Sequence, residues 1–401
     1  MVPEGWKVKQ LADVCSKQIS YGIVQAGEHQ PNGIPCLRVV DLTKDEMHPE
    51  EMIRTSVEIH ESYRKTILEK DEIVMALRGE VGLVRQIDAK LVGANITRGL
   101  ARISAKPHIV APEFLLWELR SPKFRADLMR RVGGSALQEI SLSELRKVQT
   151  LIPSLPEQNK IAKILFTWDK AITTTEQLLA NSQQQKKALM QQLLTRKKRL
   201  LDKNGVRFSG EWKWSKIQEV GMVVTGSTPP KSDENNYGGD VLWATAEDFT
   251  GKYVSNTKIK LSDKGSTKAR IVPKGSVLVT CIASIGKNAI ANEDMGTNQQ
   301  INAVVVSDSF SNEFFYYQIE FNVNKLISIA GVTAVPIVNK SSFQQVKLIF
   351  PVLEEQQKIA AVLSTADQEI SALQQKLDAL KQEKKALMQQ LLTGKRRVLV
   401  S

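Results

Sequence analysis

The chain contains part of itself twice, and a repeat of that quality dictates architecture before any other signal is read. Residues 153–195 align without a gap on residues 351–393, an offset of 198, with 24 identities in 43 positions. Pro153-Ser154-Leu155-Pro156-Glu157-Gln158-Asn159-Lys160-Ile161-Ala162 answers Pro351-Val352-Leu353-Glu354-Glu355-Gln356-Gln357-Lys358-Ile359-Ala360, and Lys186 to Thr195 recurs unchanged as Lys384 to Thr393. Looser matches flank these blocks: Gly5-Trp6-Lys7 resembles Glu211-Trp212-Lys213, and Val39 to Thr43 falls opposite Ala246 to Thr250. Between those anchors the halves diverge. The order is therefore domain (1–152), long helix (153–200), domain (201–350), long helix (351–397), with like frames and unlike interiors.

In the second repeated block Ile359, Leu363, Ala366, Ile370, Leu373, Leu377, Leu380, Lys384, Leu387 and Leu391 step by 4 and 3 in alternation, and nine of the ten are apolar. Such a heptad seam must be buried against another helix along its length. The first block repeats it with Ile161, Leu165, Trp168, Ile172, Thr175, Leu179, Ser182, Lys186, Leu189 and Leu193. The nearest partner for each helix is the other copy. Each domain directly precedes its own helix, so a parallel pair would crowd both domains at one end, whereas an antiparallel coiled coil of about 60 Å places one at each end. An internal pseudo-two-fold repeat follows. Lys186 and Lys384 share a seam position; each stem snorkels to water at a frayed point, or the two fix register. Ser154 with Glu157 reads as a capping box, and Gly394 as a C-terminal cap. Arg196 stands in the place of Gly394, which leaves the first helix without that stop. The basic runs Arg196 to Arg199 and Lys395 to Arg397 read as solvated helix ends or as phosphate contacts.

Strand-like runs occur at 34–42, 73–77, 82–87 and 100–104, and again at 241–244, 276–282 and 301–306. A helix follows each set, from Pro112 to about Arg131 and from an Asn312 cap to about Ile329. Strands do not alternate with helices as a doubly wound sheet requires. The fold class is α+β, two globular domains with mixed or antiparallel sheets and flanking helices.

The chemistry searched for is largely absent. No Gly-x-x-x-x-Gly-Lys-Ser/Thr loop and no Gly-x-Gly-x-x-Gly occurs. Cys15, Cys36 and Cys281 form no Cys-x-x-Cys pair, and the four histidines lack ligand spacing, so no metal site is expected. Asp41 and Asp248 occupy equivalent places that strand-end turns explain better than an acid–base pair does. The opening Met1 to Lys7 has no apolar stretch and no run approaches a membrane helix, which points to a cytoplasmic protein.

A net charge of +12 favours a polyanionic partner. Polar and basic residues on loops held by rigid elements are what nucleic-acid contact requires, since Arg grips guanine and Asn or Gln grips adenine. The first-half candidates are Tyr21, Gly22, Arg78, Asn95, Thr97, Arg98, Gly133, Gly134 and Ser135. In the second half they are Thr225, Ser227, Thr228, Lys231, Ser284, Lys287, Asn298, Gln299, Gln300 and Thr333. Lys123, Arg125, Arg130 and Arg131 read as phosphate contacts or as a solvated helix face.

The two Pro-x-Leu-x-Glu-Gln-x-Lys-Ile-Ala blocks, the two Lys-Lys-Ala-Leu-Met-Gln-Gln-Leu-Leu-Thr blocks and the repeated Trp6 and Trp212 starts resemble the specificity subunits of type I restriction-modification enzymes, and the resemblance covers essentially the whole chain. It implies two target recognition domains, each reading half of a bipartite double-stranded DNA target, on paired helices that set the spacing. It also implies docking of two methyltransferase subunits, which bring S-adenosylmethionine, and of ATP- and Mg-dependent translocating restriction subunits. The chain itself would carry no cofactor and no catalytic residue. Unlike interiors make the expected target asymmetric. Two other readings compete: a coiled-coil scaffold with protein-binding heads, and a nuclease with a cryptic carboxylate site.

Overall fold

A computed structural model describes residues 2–44, 46–133, 138–331 and 335–399. Gly134, Ser135 and Thr333 lie outside the described residues. The chain divides into two compact units, Met1–Glu176 with Gln375–Ser401, and Gln177–Gln374.

In unit 1, β1 (Lys7–Gln10) pairs antiparallel with β9 (Gln149–Ile152). A four-stranded sheet runs in the order β2 (Ser20–Tyr21), β8 (Leu100–Ile103), β5 (Ile73–Ala76), β6 (Val84–Gln86). A second sheet runs β4 (Ile53–Thr55), β3 (Ile34–Leu37), β7 (Asn95–Ile96), with β3 and β7 parallel. The run expected as strand to residue 42 turns at Arg38 into a short helix, α1 (Val39–Leu42). The buried Asp41 carboxylate enforces this turn by accepting the Arg38 N–H at 2.8 Å. Asp248 does the same at Thr245 (2.7 Å) and also accepts the Lys258 N–H at 2.9 Å, so both carboxylates are turn caps.

Beyond α2 (Val57–Ser62), the helix expected over 112–131 is two, α3 (Pro112–Arg120) and α4 (Pro122–Arg130). Pro122 cannot continue α3, and Ser121 caps α4 by accepting the Phe124 N–H. Ser141 caps α5 (Leu142–Lys147) by accepting the Glu144 N–H. Phe114, Leu115, Phe124 and Leu128 pack the helices against Ile73, Met75, Ala101 and Ile103, while Leu37, Val74, Ala76 and Leu100 fill a second core.

Unit 2 repeats this frame. β10 (Lys213–Lys216), which leads into α7 (Ile217–Val220), pairs with β20 (Lys347–Phe350). Five strands lie in the order β11 (Gly221–Thr225), β19 (Ile301–Val306), β16 (Val277–Thr280), β17 (Asn288–Ala291), β13 (Tyr253–Val254). The other sheet runs β14 (Ile259–Leu261), β12 (Tyr237–Ala244), β18 (Met295–Thr297), β15 (Ile271–Val272). The helices are α8 (Asp263–Ser266), α9 (Asn312–Phe321), α10 (Val323–Ser328) and α11 (Lys340–Gln345). Here too a single expected helix is two, broken at Asn322, and the α9 cap is Ser311 rather than Asn312. Asn339 caps α11.

The long helices are α6 (Leu155–Leu194) and α12 (Leu353–Leu391). Within unit 1 they run antiparallel, since Lys384 pairs with Asp169 and Lys381 with Glu176. Within unit 2 they do so again, with Lys186 on Asp367 and Ser182 on Glu369. Ile161, Leu165, Ile172, Leu179, Leu193, Ile359, Leu363, Leu377 and Leu391 are buried, and Leu189, Ile370, Leu373, Leu380 and Leu387 half-buried. The seam lysines do not snorkel to free water. Lys186 is 13% exposed, paired with Glu320 and Asp367 and seated over the Tyr317 ring. Burial alone would lower its pKa, and the two carboxylates reverse that and hold it above the ordinary value. Lys384 sits over Trp117 in the equivalent pairing with Asp169. Asp169 and Asp367 are themselves 198 apart, so the pairs are repeats of each other and specify register.

Three helix-end readings change. Glu157 is no capping-box acid; its buried carboxylate accepts from Trp6 Nε1 (3.2 Å) and takes Arg397 in a two-pronged ion pair. Arg199 grips Glu355 in the same way beside Trp212. Two members of the basic runs are thus internal ion-pair partners. Arg196 adopts φ +66°, as Gly394 does at +67°, so α6 ends in the same left-handed cap despite the missing glycine.

Candidate nucleic-acid interface

The sheets of each unit end in loops that backbone hydrogen bonds tie into one surface. In unit 1 the Arg98 N–H donates to Ile23 O (2.8 Å), Thr97 to Leu37 O (2.9 Å), Leu77 to Gly99 O (2.8 Å) and Ile140 to Leu77 O (2.9 Å). In unit 2 Asn298 donates to Ala244 O (3.1 Å), Cys281 to Gln300 O (2.8 Å) and Val338 to Cys281 O (2.8 Å). Three of the four unit 1 bonds, those of Thr97, Leu77 and Ile140, have these unit 2 counterparts and align the loops residue by residue. Thr97 falls opposite Asn298, Arg98 opposite Gln299, Gly99 opposite Gln300, and Arg78 opposite Ile282.

The turn after β5 requires a left-handed residue, filled by Gly79 (φ +66°) in unit 1 and by Ala283 (φ +61°) in unit 2. Tyr21-Gly22 matches Thr225-Gly226, and both glycines are forced by backbone approach. A Cβ would lie 1.8 Å from Ile96 O at Gly22 and 2.1 Å from Asn298 O at Gly226. Gly22 is thus a packing residue that lets exposed Tyr21 stand beside the 97–98 turn.

The other candidates divide by what they touch. Arg98 is exposed and has no side-chain hydrogen bond or ion pair among the described residues. Arg78 donates to Glu139 at 3.2 Å, next to Gly133, whose backbone bridges Glu139. Thr97 donates to Leu37 O. Asn95 is a correction. It is fully buried between Thr66 (2.8 Å), Tyr63 O and the Ile96 N–H, an amide that joins β7 to the core rather than one that reads a base.

In unit 2 Thr225 donates to Asn302 (2.7 Å), Ser227 Oγ accepts the Arg270 N–H, and Thr228 bonds Gln299. Lys287 reaches Ala246 O (2.7 Å), Asn298 bonds Gln300, and Lys231 and Ser284 are exposed. Sequence reasoning missed Glu139, which holds Arg78, and Arg270, whose exposed guanidinium donates to Thr225 O at 2.8 Å. Nothing local in the sequence marks either residue, and the repeat places Ile337 opposite Glu139. The cations on and just after α4 are mostly engaged: Arg125 with Gly82 O, Arg131 with Asp127 and Glu144, and Arg130 with Asp127. Lys123 is exposed.

Burial pushes the thiols of Cys15 and Cys36 up to about 12 and that of Cys281 to about 11, Asp41 adding to the effect at Cys36. At neutral pH all three are neutral thiols, poor as nucleophiles and as metal ligands. The surface offers hydrogen-bond donors, acceptors and cations on a rigid frame, the chemistry of recognition.

The family model described as "Type I restriction modification DNA specificity domain" matches residues 3–182 and 209–382, once in each half. The chain belongs to this family. One member, the "Type I restriction enzyme MjaIX specificity subunit" of Methanocaldococcus jannaschii, is 34% identical over 40% of this chain and 39% of its own length. The chain thus matches well under two thirds of that subunit. The "Putative type I restriction enzyme MjaX specificity subunit" of the same organism is 22% identical over 99% of this chain and 95% of its own. The solved S subunit of a type-I restriction-modification system from M. genitalium shares the fold, with TM-score 0.62 at 13% identity, over 98% of this chain and 99% of that one. Family membership and shared fold agree with two α+β units bearing two long antiparallel helices. No helix among the described residues is long and apolar enough to cross a membrane.

Proposed function

We propose that this chain is the DNA specificity subunit of a type I restriction-modification complex in the cytoplasm, each unit reading one half of an asymmetric bipartite target. The observation that carries the reading is the contrast at matched loop positions: one hydrogen-bonded frame, but Tyr21, Arg78, Thr97 and Arg98 in one unit and Thr225, Ile282, Asn298 and Gln299 in the other. A frame that serves the same purpose twice is kept, while residues facing different base pairs differ. The chain acts as an address label without catalysis of its own. Two methyltransferase subunits dock on it and bring S-adenosylmethionine, and restriction subunits bring ATP and Mg. The length of α6 and α12 sets the number of unread base pairs between half-sites.

The test is binding to, and methylation of, mapped sites by the chain assembled with its methyltransferase. Arg98→Ala should relax or weaken one half-site by about 1–3 kcal/mol and leave the other unchanged. Inserting seven residues in both helices should widen the gap by about 3 base pairs, at about 10 Å of added rise. Equal loss at both half-sites, or an unchanged gap, would refute the assignment.

A further inference from the structure

The two units carry one small ribbon on the same backbone and give it opposite chemistry. In unit 1 the Gly79 N–H donates to Gln138 O (3.3 Å), the Ile140 N–H to Leu77 O (2.9 Å) and the Gly133 N–H to Glu139 O (3.0 Å), and Arg78 lies across from Glu139. In unit 2 the Ala283 N–H donates to Pro336 O (3.1 Å), the Val338 N–H to Cys281 O (2.8 Å) and the Gly331 N–H to Ile337 O (3.1 Å), and Ile282 lies across from Ile337. Each of these bonds has its counterpart. Arg78, Gly79, Gln138 and Glu139 therefore stand where unit 2 has Ile282, Ala283, Pro336 and Ile337.

Alternation along the ribbon decides which side chains face outward. Leu77 and Ile140 belong to the core of unit 1, and Cys281 and Val338 to that of unit 2. Their ribbon neighbours face away from it, and side chains directly opposite in an antiparallel bridge share a face. In unit 1 that face holds the Arg78–Glu139 ion pair (3.2 Å). In unit 2 it holds two isoleucines, Ile282 half-buried and Ile337 43% exposed, beside exposed Ala283 and Pro336. One exposed isoleucine means little. An ion pair and an amide exchanged together for three apolar residues, on an unchanged frame and outside the core, call for an apolar ligand group.

The patch lies within the candidate reading surface. The Cys281 N–H, one residue before Ile282, donates to Gln300 O (2.8 Å), which ties the ribbon to the turn where Gln299 and Gln300 are exposed. Amide side chains can bond the polar atoms of a base edge, whereas an isoleucine pair can recognise only an apolar group. In the major groove of DNA that group is the C5 methyl of thymine.

We infer that Ile282 and Ile337 are specificity-determining residues of unit 2 and contact the C5 methyl of a thymine in its half-site. The inference rests on the DNA-reading assignment above. The two side chains form a floor against which the methyl group loses its water. Cytosine at the same place offers no methyl group, and its amino donor would lie unpaired against them. Unit 1 makes no such contact, because Arg78 and Glu139 present charge at the equivalent position.

The test uses the chain assembled with its methyltransferase and duplexes that carry its mapped site. The half-site of unit 2 is the one that Arg98→Ala leaves unchanged. Each thymine there is replaced in turn by uracil, which lacks only the C5 methyl. Competition binding should show one position at which uracil weakens binding about fourfold, the worth of one buried methyl group. Ile282→Arg with Ile337→Glu, the pair that the same frame carries in unit 1, should bind thymine and uracil alike at that position. A half-site without thymine, uracil without effect at every position, or a uracil effect that survives the exchange overturns the inference. A pair that only stabilised the ribbon would leave uracil without effect. Any of these results leaves the mapped site, and with it the DNA-reading assignment, standing, whereas a chain with no specific site would overturn both.

Discussion

Replacing Glu118 with glutamine should remove a pH-dependent weakness from unit 1. The Glu118 carboxyl is buried in α3; Oε1 accepts the Leu151 N–H of β9 at 2.7 Å, and Oε2 has no partner among the described residues. Burial pushes its pKa from 4.5 to about 8, against the opposing pull of that N–H, Lys123 and Ser121. Between those values the folded chain holds a proton that the unfolded chain has released, so stability falls as pH rises through the window. The loss is about 1.4 kcal/mol per pH unit, with a ceiling on the order of 5 kcal/mol above pH 8. Unit 2 carries Gln318 at the equivalent position, donating to Ile349 O at 2.9 Å and accepting from Asn322 at 3.0 Å. The second copy thus has the neutral side chain that Glu118 imitates when protonated. Glu118→Gln should match the parent near pH 5 and exceed it at pH 9 by roughly 10–20 °C in Tm, at about 2–4 °C per kcal/mol for a domain of this size. Calorimetry of the full chain at pH 5, 7 and 9 reads the difference, and exchange of the Leu151 amide assigns it to unit 1. Parallel pH profiles for parent and variant would refute the argument.

Comparison of the copies yields further expectations. Arg196→Gly and Ala283→Gly each relieve a left-handed backbone that the other copy assigns to glycine, and each should raise stability by about 1 kcal/mol in urea melts. Arg199→Ala strands the fully buried Glu355 and should cost roughly 3–5 kcal/mol. Arg397→Ala should cost less, because Arg397 is half exposed and Glu157 keeps its bond from Trp6, whereas Trp212 Nε1 has no partner among the described residues. Equal losses would contradict that ordering.

The helical frame was legible because its signals are local and repeated. A ten-position seam and an offset of 198 leave little freedom, and those seam positions are all buried or half-buried. Helix breaks at Ser121 and Asn322 were missed where apolar spacing runs on through a cap, although Pro122 was a readable stop. The sequence places the candidate interface residues on loops but does not show what each side chain touches. Asn95 looks like an adenine reader in the sequence, and only long-range packing against Thr66 and Tyr63 shows that it faces inward. Arg199 and Arg397 likewise looked like solvent or phosphate contacts, because their carboxylate partners lie more than a hundred residues away. Pairings at such separations have no local signature.

The division of the chain bears on its birth at the ribosome. Residues 177–374 form a contiguous unit, complete before the last part of α12 is made, whereas the unit that begins at the N-terminus needs Leu391, Leu392 and Arg397 to close its core and its Glu157 ion pair. Of the two units, the one begun first is therefore completed second, exposing Trp6, Ile161 and Leu165 until residues 391–397 are made. A premature stop after about residue 374 would spare the later unit and disable the earlier one.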